Sequence, residues 1–108
     1  MIKSKDCPTH VIDIYISGSK SEIKKLCREF CFKKKICVSL TDVDFVYTGG
    51  SEYGNRISVL AYPKYPIDTF ELNKLATQLA TFLLERTYQR SCSIVGPKTT
   101  TWLHVEED

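Results

Sequence analysis

From His10 to Ser17 the chain reads H-V-I-D-I-Y-I-S, placing Ile12, Ile14 and Ile16 on one side and Val11, Asp13 and Tyr15 on the other. A period of two with β-branched residues predicts a strand with one buried face. Gly18 ends the run and the period changes. Ser19 and Glu22 fit a capping box, in which the serine accepts from a backbone N–H and the glutamate reaches back. Ile23, Leu26, Cys27, Phe30 and Cys31 then recur at helical spacing, which predicts a helix over roughly 20–33.

The next run, Ile36 to Thr48, changes parity midway: Ile36, Val38 and Leu40 share one side, and Val43, Phe45 and Tyr47 the other. A slip of one residue turns every side chain over, so a bulge or bend is expected near Thr41-Asp42. Arg56 to Tyr62 forms another strand, and Gly49 to Asn55, rich in residues that tolerate positive φ, is read as the hairpin connection. Pro63 and Pro66 bracket a rigid linker, and Asp68 with Glu71 offers a second helix cap. Leu72, Leu75, Leu79 and Leu83 trace an amphipathic helix to about Tyr88. Ser91–Val95 and Thr99–Val105 are extended segments. The order β-α-β-β-α-β, with an extra C-terminal edge strand, is the α+β split βαβ or ferredoxin-like pattern. It places two helices on one face of an antiparallel sheet, with strand 1 central beside strand 3 and strands 2 and 4 outside.

Length and composition narrow the class. A chain of 108 residues makes one domain, 1–108, with 1–9 and 106–108 expected as flexible ends. At 43% hydrophobic and 26% charged residues it reads as globular, and it has neither a secretory start nor a long apolar run. A cytoplasmic setting with no membrane contact follows as the expectation. The formal charge of +2 is too balanced for a nucleic-acid surface, although seven basic residues crowd Lys20–Lys35. Five cysteines, an odd number without a CxxC pair, point to reduced thiols, with Cys27 and Cys31 as core residues; no metal or cofactor is expected.

No Gly-x-Ser-x-Gly elbow, Walker loop, HExxH or Cys–His pattern is present, so a non-enzymatic binding protein is expected. His10 and His104 stand near opposite ends of the chain. Asp42 and Asp44 share a strand parity, an arrangement that can divide two carboxylate pKa values, though solvent-facing aspartates are the simpler reading. Gly49-Gly50 and Gly54 serve either a turn or an anion nest completed by Arg56. Tyr15, Phe45, Tyr47 and Tyr62 could stack bases on the sheet, yet the signature of the RNA-binding module is missing. The remaining polar–aromatic set is Tyr47, Thr48, Gly49, Gly50, Arg56, Tyr62, Lys64, Thr100 and Trp102. If hairpin and chain end converge on one sheet edge, this set makes a small-ligand or partner site.

The strings Y-T-G-G (47–50), Y-P (62–63) and S-I-V…T-T-T-W-L (93–103) resemble a set of short, uncharacterised bacteriophage and prophage proteins. The resemblance implies an accessory factor that binds and disables a host component. Such factors either inhibit a host protein or sequester a nucleotide, so the expected partner is a nucleotide-like ligand or a host protein. An exposed edge strand with few guards also leads us to expect a homodimer or higher homo-oligomer.

Overall fold

The structure, a computed structural model, describes residues 1–106; Glu107 and Asp108, and the expectation about them, lie outside the described residues. Its elements are β1 (Val11–Ser17), α1 (Lys20–Lys34), β2 (Val38–Tyr47), β3 (Gly50–Leu60), α2 (Thr69–Thr87), β4 (Ser91–Val95) and β5 (Thr100–His104). They form one five-stranded antiparallel sheet in the order β2-β3-β1-β4-β5, the ferredoxin-like arrangement with an added edge strand.

The isoleucine row of β1 does what its period requires. Ile12, Ile14 and Ile16 are buried, and across β1–β3 they face Val59, Ile57 and Asn55. Ile23, Leu26, Cys27 and Phe30 of α1 and Leu72, Ala76, Leu79 and Leu83 of α2 close over this face, with Cys92 and Ile94 of β4. Phe30 meets Phe82 between the helices at 5.8 Å. The start of α2 is capped as expected, Asp68 Oδ1 accepting from the Glu71 N–H at 2.8 Å. The box at α1 is not formed: Ser19 makes no side-chain cap and its hydroxyl lies 3.0 Å from that of Ser21.

Two further expectations are corrected. No bulge interrupts β2, whose register with β3 runs unbroken from Val38↔Val59 to Tyr47↔Gly50. The parity change has another cause. Helices cover the Val38–Leu40 side near the base, while Val43, Phe45 and Tyr47 belong to the opposite side of a strand that outruns them. Pairing of β1 with β3 stops at Ser17↔Gly54, so the rest of the hairpin projects as a two-stranded arm.

The hairpin connection is also shorter than expected. Only Thr48 and Gly49 form the turn, with Gly49 at φ 88°, and residues 50–55 belong to β3. Gly50 and Gly54 are there for space. A Cβ on Gly50 would sit 3.1 Å from the Tyr47 ring, and one on Gly54 would clash with the edge of the Phe45 ring. Each aromatic of β2 thus lies across a bare backbone of β3, a cross-strand pairing that fixes the arm's register. Gly54→Ala is expected to lower stability by about 1–3 kcal/mol, the ordinary cost of forced overpacking. Chemical denaturation of Gly54→Ala, Phe45→Ala and the double variant checks this, with the double expected to be more stable than the sum of the singles.

Candidate functional site

A concavity large enough for a nucleoside-sized ligand lies at the base of the arm, on the helix side of the sheet just beyond the point where the helices end. It measures about 620 Å³ and is bounded by Gly18, Ser19 and Lys20 on one wall, with Asp42, Val43, Asp44, Tyr53, Gly54 and Asn55 on the other. Small-molecule sites commonly span about 300–1,000 Å³. A hollow on the opposite sheet face, between Tyr15, Ser17, Phe45, Glu52 and Ser93, holds only about 160 Å³.

The residue that shapes this cleft is Asn55, 1% exposed at the end of the buried β3 row. Its Nδ2 donates to the Ile16 carbonyl at 3.3 Å and to the Gly18 carbonyl at 3.1 Å. The amide therefore ties the β1–α1 turn to the root of the arm. Gly18, at φ 125°, lets the chain leave β1 sharply enough to start α1 two residues later. Lys20, at the start of α1, reaches across to Asp42, its Nζ lying 3.3 Å from both carboxylate oxygens. Both side chains are more than half exposed, so this pair adds at most about 1 kcal/mol and matters by its position.

Asp44 stands two residues along the same strand face as Asp42, ~6.6 Å further out, and directly opposite Tyr53 in the ladder. Among the described residues it has no hydrogen bond or ion pair, and the Tyr53 ring is 83% exposed. One wall thus offers a free carboxylate beside an aromatic face. The other offers an ammonium group and the first turn of α1, whose amides lack a side-chain cap. Such a cleft suits a ligand carrying both charges and a planar ring: the carboxylate takes a cation, the lysine an anion, the tyrosine a base.

The nine residues singled out from the sequence are distributed over four places. Tyr47, Thr48, Gly49 and Gly50 form the tip of the arm. Tyr62 and Lys64 lie in the linker after β3, where Tyr62 bridges to Tyr65 and Lys64 sits 5.6 Å from the Tyr65 ring. Arg56 lies on the open sheet face with its Nε buried and unpartnered and an Nη 3.5 Å from the Thr41 hydroxyl. Trp102 occupies the same cross-sheet row, Thr41–Arg56–Tyr15–Ser93–Trp102, and stacks on His104 at 4.0 Å; Thr100 lies further along β5. Convergence fails within one chain because β2 and β5 are opposite edges of the sheet. Tyr47 and Trp102 are separated by four strand spacings, ~19 Å, before the length of the arm is added. The pocket residues Lys20, Asp42, Asp44, Tyr53 and Asn55 carried a weaker signal, the shared parity of the two aspartates.

No family model matches the chain, and no curated protein does. Two solved structures match its fold. One is described as a phage SAM lyase in complex with S-methyl-5'-thioadenosine, at TM-score 0.79 and 12% identity, covering 100% of this chain and 98% of that one. The other is a phage SAM lyase in the apo state, at TM-score 0.71 and 14% identity, covering 92% and 91%. The class defined is thus an α+β fold that, in a phage-encoded protein, holds a nucleoside thioether. The expectation of a non-enzymatic protein is corrected by the same finding, since the fold matched from end to end is that of a lyase. Elbows, Walker loops and zinc signatures report only the chemistries that need them, so their absence does not exclude a lyase. Among the described residues, no helix is long and apolar enough to cross a membrane.

Asn55→Ala should cost about 1–3 kcal/mol, since the buried Ile16 carbonyl and the half-buried Gly18 carbonyl lose their donor. Hydrogen exchange is the check, with the amides of 18–20 and 53–55 expected to lose protection ahead of the rest of β1.

Proposed function

We propose that this chain is a phage-encoded enzyme that binds a sulfonium nucleoside of the S-adenosylmethionine type at the base of the arm and cleaves it. The supporting observation is the free Asp44 carboxylate beside Tyr53 on one wall of a cleft of about 620 Å³, with Lys20 on the opposite wall. That charge pattern mirrors the substrate, which carries an ammonium, a carboxylate, a sulfonium and a purine. Removing a host's pool of such a nucleoside is one way for an accessory phage factor to disable its host.

A sulfonium sulfur is already an activated leaving group. When its C–S bond to the amino-acid chain breaks, the electron pair returns to sulfur, which departs as a neutral thioether nucleoside. An oxygen of the substrate's own carboxylate bonds to the carbon left behind and closes a lactone. No metal or activated serine is needed. Charge on sulfur disappears along the reaction, so an anion held against it would favour the ground state over the transition state. Asp44 is therefore assigned to the ammonium group, whose charge persists, and the bare backbone at Gly54 to the sulfur. Lys20 takes the substrate carboxylate in exchange for Asp42, and Tyr53 stacks the purine. The protein's contribution is orientation in a partly desolvated cleft.

Incubation with S-adenosylmethionine, followed by chromatography, should show S-methyl-5'-thioadenosine accumulating. Asp44→Asn is expected to reduce kcat/KM by about 10-fold or more, the scale of a lost charge-assisted hydrogen bond. Release of no thioether nucleoside, or full activity in Asp44→Asn, would contradict the proposal.

Self-association belongs to the same reading. Val105 donates to the Arg90 carbonyl and Gly96 to that of Thr99, so by ladder alternation the N–H and C=O groups of Thr100, Trp102 and His104 point away from the sheet. With neither proline nor lysine inside β5, that row is open to a second copy. Thr100→Pro removes one outward donor and leaves the β4 pairing intact. Light scattering is expected to show a smaller species for this variant than for the parent chain.

A further inference from the structure

At the far end of α1 from the pocket, the helix closes with Lys35 in the left-handed conformation at φ 56°. The Cys31 carbonyl accepts from both Lys35, at 2.8 Å, and Ile36, at 3.4 Å. This closure turns the chain back over its own last turn, so that Cys37, the residue before β2, returns to the vicinity of Cys31. The two thiols line one groove of about 300 Å³ between α1 and β2, and Lys24 and Arg28 line it as well. Cys37 is exposed and Cys31 half-buried. The Cys31 sulfur accepts from the Val38 N–H, and the Tyr62 hydroxyl bonds the Cys37 sulfur, which raises the Tyr62 phenol above its ordinary value. Tyr62, left without a role by the pocket, thus belongs to this cluster.

The geometry points to this groove as a thiol-modification site for an anionic low-molecular-weight disulfide, with Cys37 as the attacking thiol and Cys31 as the resolving one. Lys24 and Arg28 provide the charge that attracts carboxylates of a molecule such as oxidised glutathione. Cys37, as thiolate, attacks one sulfur of the reagent, forming a mixed disulfide and expelling one reduced thiol. Cys31 then gives up its proton and displaces the second reduced thiol, closing an intrachain Cys31–Cys37 bond. Two protein thiols lose two electrons and two protons, and the reagent is reduced to two thiols.

Neighbouring groups support this pairing. Cys27, on the same groove, is pushed up to about 12 by burial and by Cys31, and burial alone takes Cys92 to about 11, so neither competes as a nucleophile near neutrality. A metal is the weaker reading, because among the described residues no three His, Cys, Asp or Glu side chains are placed to share one. The site does not rest on the proposed lyase activity. Cys31 lies eleven residues along α1 from Lys20, ~16 Å at the helical rise.

The test uses the full chain with oxidised glutathione near pH 8, followed by mass spectrometry. We expect a product two hydrogens lighter than the reduced protein. Trypsin cuts at Lys33, Lys34 and Lys35 between the cysteines, so the disulfide should hold two peptides together until reduction. Cys31→Ser should stop at a stable glutathione adduct on Cys37, and Cys37→Ser should show neither product. No reaction, a wild-type adduct that never closes, or a bond formed through Cys7 or Cys27 would overturn the assignment. Thioether-nucleoside release is read in parallel on the reduced protein; its absence there would count only against the lyase reading.

Discussion

One buried amide governs the site. Asn55 is the polar member of an otherwise apolar row, and its two donor bonds to the carbonyls of Ile16 and Gly18 are the reason it can be there. A buried amide without partners would cost about 1–3 kcal/mol, so the pairing specifies one register of β1 against β3 and one path for the chain leaving β1. A slip of one residue would leave the amide unpaired and expose three isoleucines. Core and cleft therefore share a boundary: the isoleucine row ends at Asn55 and the pocket begins there.

The remaining geometry follows from how far the helices reach. They cover the sheet face as far as that boundary, and β2 and β3 continue beyond it. On the uncovered arm the same face that carries Val38 and Leu40 lower down carries Asp42 and Asp44, where charge is tolerated because water reaches it. The other face keeps its aromatics, and Phe45 and Tyr47 find cover over glycine backbone instead of over a helix. The pocket is thus the step between a covered and an uncovered portion of one sheet, with the start of α1 as its second wall. That step leaves a carboxylate, an ammonium and a tyrosine ring facing one another.

The fold was legible in the sequence because each element carried its own period. The isoleucine alternation, the spacing of Ile23 to Phe30 and the Asp68 cap all took the form their spacing implied. The bulge at Thr41-Asp42 was misread because parity records which face is apolar, and cover can change faces while the strand remains regular. The glycines were misread as one long turn because a glycine that makes room for a ring and a glycine that adopts positive φ look alike in one dimension. The site was less legible. Tyr47, Arg56 and Trp102 are conspicuous residue types, but strand order places them at the arm tip, mid-sheet and far edge. Asp42 and Asp44 looked like solvated aspartates, and only the turn at Gly18 brings Lys20 opposite them. The proposed catalytic role carries no short motif for a chemical reason: a substrate with its own leaving group asks the protein for orientation.

The central claim is that a thioether nucleoside sits at the base of the arm. Its most direct test is a backbone amide titration of the labelled protein with S-methyl-5'-thioadenosine by NMR. Saturable shifts are expected to be largest at residues 18–20, 42–44 and 53–55, with the open-face row of Arg56, Tyr15 and Trp102 little moved. Shifts centred on that row, or none at all at millimolar ligand, would contradict the account.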